Sequence, residues 1–197
     1  GTGLSKSAPA LWDAGARHFF VATLEEGIYL RGLLQRAQIF VLNGVLPGMM
    51  IDFAQHNLIP VLNGPDQARV ANDFARRDGV RCKSILHVDT GMNRLGFTAG
   101  EWSAFWAAPE NYDALEFDTI MSHLASADEA GNDFSEIQNA AFVKSIDALP
   151  FSARRSLANS SGIFRGAEFH YEMVRPGMCL YGLNPTPHQS NPMQVVV

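Results

Sequence analysis

The chain has 197 residues, a formal charge of −5, 47% hydrophobic and 18% charged residues, and a pI near 5.6. That composition excludes a disordered chain and is long enough for one α/β domain with a sizeable core. It offers no basic stripe for a nucleic-acid backbone, and no apolar run reaches the ~18 residues that a membrane-spanning helix needs.

No secretory n-region and h-region is read at the start. Cys82 and Cys179 each lie in an apolar segment without CxxC spacing, so buried free thiols in a reducing cytoplasm are expected. The chain starts at Gly1 without a Met and stops inside the strand-like run Met193–Val197, so both ends read as cut.

Residues 4–16 read as a helix, with Leu4, Ala8, Leu11, Trp12 and Gly15 at helical spacing, Ser5 or Ser7 as caps and Gly15 as a stop. His18–Ala22 is a strand. Thr23 caps the next helix, which runs to about Leu34 with Glu25 and Glu26 in its first turn. Gln38–Leu42 is a strand, and a short helix follows near Pro47–Gln55. Leu58–Leu62 is a strand that Pro60 makes irregular or an edge. The turn Asn63–Asp66 feeds a helix over 66–77.

A buried strand from about Lys83 ends at Asp89. Residues 99–109 form a helix with Trp102, Phe105 and Trp106 on its apolar face. Phe117–His123 is a strand, 125–129 a polar loop, and 132–148 a helix capped by Asn132 or Asp133. Arg155–Ala158 is a short strand, and 175–182 is a turn followed by a seventh strand. This alternation predicts a parallel sheet with crossover helices. A (β/α)8 TIM-type barrel without its first strand suits it best, with a doubly wound open sheet as the alternative. No GxGxxG opens a helix after a strand, so no dinucleotide fingerprint is present.

In a parallel barrel, chemistry collects at the C-terminal ends of the strands. Here each strand end carries polar groups. Asn159-Ser160-Ser161-Gly162 joins hydroxyls to backbone N–H groups at a helix start, and Arg175-Pro176-Gly177-Met178 is the next strand-end turn. The pair reads either as an anion site or as a helix cap plus a tight turn. His123 closes its strand and reads as a stacking, metal-binding or acid–base group, or as a hydrogen-bonded rim histidine. His87 and Asp89 share a strand face, but no third metal ligand stands at a recognisable spacing, so no metal is expected. Arg94 and Arg175 sit in glycine-containing strand ends, where a guanidinium suits a carboxylate, a phosphate, a ring nitrogen or a salt bridge.

Four ordered stretches, Val88-Asp89-Thr90-Gly91-Met92-Asn93-Arg94-Leu95-Gly96-Phe97, Met121–Asp128, Ala158–Gly162 and Val174–Gly182, resemble alanine racemase, of the fold-type III pyridoxal-phosphate enzymes. The resemblance covers nearly the whole chain. It implies a pyridoxal 5'-phosphate cofactor and an amino-acid substrate. It also implies interconversion of L- and D-alanine by two-base proton exchange at Cα, supplying D-alanine for peptidoglycan. A cytoplasmic homodimer is expected for the full-length protein.

By the same resemblance Arg94 lies near the substrate carboxylate and His123 packs against the pyridine ring. Ser160, with backbone at Gly177 and Met178, holds the phosphate. Asn159 supports that pocket, and Arg175 faces the ring nitrogen. Asp89 is a structural anchor of its turn. The two proton-moving residues, a lysine before Gly1-Thr2-Gly3 and a tyrosine from a C-terminal β domain of the partner subunit, are expected outside the chain. Without them, the chain alone is expected to be inactive.

The implied domains are a pyridoxal-phosphate-binding barrel over 1–184 and, over 185–197, a linker with the start of the β domain. The sequence departs from the family at His87, where many relatives carry a carbamylated lysine that braces the arginine. Two alternatives from the same barrel remain. One is another fold-type III enzyme: a serine or broad-specificity racemase, or the metal-using D-threonine aldolase or D-serine dehydratase. The other is a non-catalytic cofactor-binding barrel.

Overall fold

The computed structural model describes residues 3–147, 149, 151–194 and 196. The helices are α1 Leu4–Asp13, α2 Leu24–Leu33, α3 Met50–Gln55, α4 Pro65–Asp78, α5 Ala99–Ala107, α6 Phe134–Asp147 and α7 Ser160–Arg165. The strands are β1 His18–Val21, β2 Gln38–Val41, β3 Ile59–Leu62, β4 Cys82–His87, β5 Leu115–Met121 and β6 Arg154–Ser156. They form one six-stranded sheet in chain order, with parallel pairing wherever the register is defined. The alternation read from the sequence is therefore an α/β fold with a parallel sheet.

The chain divides into two compact units, residues 1–86 with 103–118, and 87–102 with 119–197. The first carries β1 to β4 up to Leu86 and the N-terminal half of β5. β2 and β3 are near-continuous buried runs, as in a parallel sheet covered on both faces. Ile39, Phe40, Val41, Val61, Leu62, Ile85 and Leu86 have no exposed surface. The second unit carries the C-terminal half of β5, β6 and the strand-end loops.

Thr23 caps α2 with a reciprocal box. Its hydroxyl accepts from the Glu26 N–H, and the Glu26 carboxylate accepts from the Thr23 N–H. Asn132 at the start of α6 accepts from the Phe134 N–H (2.9 Å), which resolves the choice between Asn132 and Asp133 as side-chain cap.

Four expectations need correction. α1 has no side-chain cap; its N-cap is Gly3, and Ser7 spends its hydroxyl on the Gly3 carbonyl. Pro60 lies in a buried inner strand, not at an edge. β3 pairs with β2 through Ile59 and Pro60 and with β4 through Val61 and Leu62, so the proline stands before the residues that pair with β4. Residues 178–182 are not a strand: Met178–Tyr181 is a tight 3-10 turn. The segment that lines β6 is upstream, where Met173 N–H donates to Arg155 O (3.2 Å) and Arg175 N–H to Ala158 O (2.9 Å). Pro176 and Gly177 then break the ladder. Finally, Met193, Gln194 and Val196 are in no strand. Gly1 and Thr2 of the Gly-x-Gly, Ala148 of the predicted helix, and Val195 and Val197 of the terminal run lie outside the described residues. Among the described residues, no helix is long and apolar enough to cross a membrane.

Replacing Thr23 by Ala removes one half of the cap and strands the other. Urea denaturation should show a loss of ~1 kcal/mol at unchanged m-value.

Candidate functional site

Four loops of the second unit supply the site. The first follows β4. Asp89 N–H donates to Phe97 O (2.9 Å) and Phe97 N–H to His87 O (2.7 Å), closing a tight loop. The Asp89 carboxylate accepts from Gly91 N–H (2.9 Å) and Asn93 N–H (3.1 Å). It anchors the turn, as the sequence predicts, and is not left to act as an acid or base. Gly96 has φ +112°, and a Cβ there would stand 2.7 Å from the Asp89 nitrogen, so no other residue fits without shifting the loop. Arg94 stands exposed on this loop, with no hydrogen bond or ion pair among the described residues.

The second loop follows β5. His123 is partly buried, and its Nδ1 accepts from Arg175 Nη2 (3.3 Å), which assigns the neutral ring's proton to Nε2. The third follows β6. Asn159 caps α7 by accepting from Gly162 N–H (3.0 Å) and donates to Leu124 O (3.1 Å). Ser160 is buried, and its Oγ accepts from Gly177 N–H (2.9 Å) and Cys179 N–H (3.4 Å). Gly177 and Met178 are exposed, and a Cβ at Gly177 would meet nothing nearer than Ser160 Oγ at 4.0 Å. Backbone, serine hydroxyl and open space therefore adjoin at this point.

Arg175 belongs to the fourth loop. Its guanidinium donates to Ser156 Oγ, Ser122 O (2.5 Å) and Leu157 O (3.3 Å), besides His123. All four acceptors are neutral, and no carboxylate pairs with it among the described residues. Loss of hydration lowers its pKa to about 10, so it keeps its proton at neutral pH.

The histidines respond to the same surroundings. Burial first, then the charges of Arg175 and Arg94, lower His123 to about 4. Burial, Arg175, His123 and Arg94 lower His87 to about 3. Both rings are neutral at pH 7, while the two arginines remain charged. The structure thus brings Arg94, His87, His123 and Arg175 within one electrostatic neighbourhood that is cationic, and it brings Ser160 to the backbone of Gly177 and Cys179, while Asn159 turns to Leu124 and Gly162. Such a site can take an anion and present a fixed N–H to a neutral ring acceptor.

Sequence reasoning missed the polar layer behind these groups. Thr90 Oγ1 and Ser122 Oγ share a 2.7 Å hydrogen bond. The Gln138 amide reaches Thr90 Oγ1 (3.4 Å), His123 O (2.9 Å) and Ala125 N–H (2.9 Å). One signal was available: Gln138 stands at four-residue spacing between Phe134 and Phe142, a polar residue in the buried stripe of α6.

The family model described as the alanine racemase N-terminal domain matches residues 1–185. The chain belongs to that family. It is 43% identical over 198 residues to the alanine racemase of Rhodospirillum rubrum, covering all of this chain and 53% of that one. It also superposes on the crystal structure of alanine racemase from Bartonella henselae with covalently bound pyridoxal phosphate. That match has a TM-score of 0.93 and 35% identity over 98% of this chain and 56% of the other. Histidine racemase from Leuconostoc mesenteroides is similar too, with a TM-score of 0.86 and 28% identity over 98% and 53% of the two chains. The chain spans about half the length of the curated relatives it matches.

His87 and His123 titrate near 6.5 once unfolded but far lower in the folded chain. Below that pH the unfolded chain binds their protons first. Their contribution is therefore complete above 6.5 and is lost as the pH falls toward 4 and then 3. Urea midpoints should be lower at about pH 5 than at about pH 7.5, and His87→Asn should flatten that difference. Gly96→Ala should lower the midpoint at both pH values.

Proposed function

We propose that this chain is the cofactor-binding part of an alanine racemase that interconverts L- and D-alanine with pyridoxal 5'-phosphate. Residues 1–184 would belong to a (β/α)8 barrel. Residues 185–197 would be the linker and the start of a C-terminal β domain. The full-length protein would be a cytoplasmic homodimer supplying D-alanine for peptidoglycan. The observation that carries the reading is the site's charge: two arginines and two neutral histidines face each other, Arg175 is satisfied only by neutral acceptors, and Ser160 lies against the backbone of Gly177.

The donor set fits the cofactor. Ser160, with backbone at Gly177 and Met178, would hold the phosphate, and Asn159 would keep α7 in place beneath it. His123, neutral and fixed by Arg175, would pack on the pyridine ring without adding charge. When bound, the cofactor supplies the electron sink that acidifies the substrate's Cα–H bond. Arg175, which keeps its proton at neutral pH, would donate to the ring nitrogen without giving that proton up. It would thereby keep the sink weak, which would favour proton exchange over elimination or decarboxylation. Arg94, exposed and unpaired, would bind the substrate carboxylate bidentately and orient Cα. The lysine and tyrosine that move the proton would come from parts of the protein beyond this chain.

A second reading is a racemase of the same barrel acting on a larger side chain, supported by the likeness to histidine racemase. Measuring racemisation of L-alanine, L-serine and L-histidine by the full-length protein decides between them. Alanine should be the best substrate, and EDTA should leave the rate unchanged, unlike the metal-using aldolase and dehydratase. Absence of alanine racemisation with added pyridoxal phosphate would sink the proposal. Arg94→Ala should raise KM for alanine by at least ~tenfold, the cost of losing a charge-assisted pair, and leave cofactor affinity intact. Ser160→Ala should do the reverse, raising the Kd for pyridoxal phosphate.

A further inference from the structure

Helix α6 (Phe134–Asp147) sends two neighbouring side chains of one face into the loops that carry Arg94 and His123. The first is Phe134. Its ring tip stands where a Cβ on Gly91 would be only 2.9 Å away, and Gly91 has φ +126°. The ring therefore seals against bare backbone at the start of the Arg94 turn. The second, one turn on, is Gln138, with no exposed surface. Its Nε2 donates to His123 O (2.9 Å) and to Thr90 Oγ1 (3.4 Å), and its Oε1 accepts from Ala125 N–H (2.9 Å). Thr90 in turn shares a hydrogen bond with Ser122 (2.7 Å), whose carbonyl accepts from Arg175.

We propose that Gln138 is a positioning residue that holds the Arg94 turn and the His123 loop at one fixed separation. This rests on the reading of Arg94 as the carboxylate clamp and His123 as the ring-packing group. The chemistry requires a carboxamide. The loop around His123 presents one carbonyl and one N–H to the same side chain, so the partner has to donate and accept from one planar group. An ionised glutamate offers acceptors only and would face the His123 carbonyl with none of the donors it needs. A methionine fills the space and bonds neither. The Thr90 hydroxyl, already tied to Ser122, then links this loop to the turn that Asp89 anchors. A slip at Gln138 would move Arg94 and His123 relative to each other while leaving each loop's own closure intact, because those bonds run through Asp89 and Phe97, and through Asn159 and Leu124.

The test uses the full-length protein, with Gln138→Met, Gln138→Glu, Thr90→Val and Thr90→Ser, each assayed at a temperature where its melting curve shows it fully folded. Gln138→Met should raise KM for L-alanine by about tenfold, the scale of losing a buried amide's hydrogen bonds. The Kd for pyridoxal phosphate, read by titrating the apoprotein, should also rise. The NMR titration of the His123 ring should move up from about 4 toward its ordinary value as the ring leaves Arg175. Gln138→Glu should be no better than Gln138→Met. Thr90→Ser should behave as the unsubstituted protein, and Thr90→Val combined with Gln138→Met should cost less than the sum of the two.

A Gln138→Met protein that melts earlier, yet keeps its KM, cofactor Kd and His123 titration, overturns the positioning role and leaves Gln138 a packing residue. Failure of the functional reading is separate. It shows as an unsubstituted protein that racemises no alanine, and the cofactor Kd and the His123 titration then still decide for or against Gln138.

Discussion

Arg175 carries a full charge into a partly desolvated layer and meets there a hydroxyl, two carbonyls and an imidazole nitrogen, none of them charged. A guanidinium in that position is costly unless its donors are satisfied. The strand ends around it are arranged to do so. Ser156 at the end of β6 offers a hydroxyl, Ser122 after β5 a carbonyl, and Leu157 another. His123 must stay neutral to accept, and burial, reinforced by the charge of the same arginine, keeps it neutral by lowering its pKa. One cation thereby sets the tautomer of a histidine and the pairing of two loops and, with Arg94, the sign of the site.

The second constraint is the closure of the turn after β4. Asp89 gathers the N–H groups of Gly91 and Asn93, and Gly96 admits the close return of the chain to His87 and Asp89. With its acid used for closure, the turn presents a single charged side chain outward, Arg94. In the proposed reaction the acid–base work would therefore fall to other groups. The loops of the second unit hold charge and satisfy donors, which suits the proposed role of binding and orienting a cofactor and its substrate. Behind both loops, α6 contributes the apolar ring of Phe134 and the amide of Gln138.

Much of this was legible in the residue order. The cap at Thr23, the acid anchoring the turn at Asp89, and the alternation of buried strands with helices follow from local chemistry that acts over a few residues. The motif stretches pointed to the family that the comparisons identify. Residues 178–182 were misread because Cys179, Leu180 and Tyr181 look like strand residues, while their fate is decided by Ser160, whose hydroxyl draws the N–H groups of Gly177 and Cys179. The edge alternative for Pro60 failed because its place between β2 and β4 depends on pairing with residues far away in the chain. Gln138 was overlooked because its polarity gains meaning only when the His123 loop and Thr90 stand beside it.

By itself the sequence determined the α/β alternation, the turn chemistry, the net negative charge and the set of polar groups at the strand ends. These depend on spacing, propensity and charge, all of which are written in order along the chain. Tertiary structure alone decided which neutral acceptors satisfy Arg175, that His87 and His123 are uncharged, that residues 173–175 line β6 in place of 178–182, and that α6 backs the Arg94 and His123 loops. Each of these is a consequence of burial or of pairing between residues distant in sequence, and desolvation acts only once the chain has closed around the group concerned.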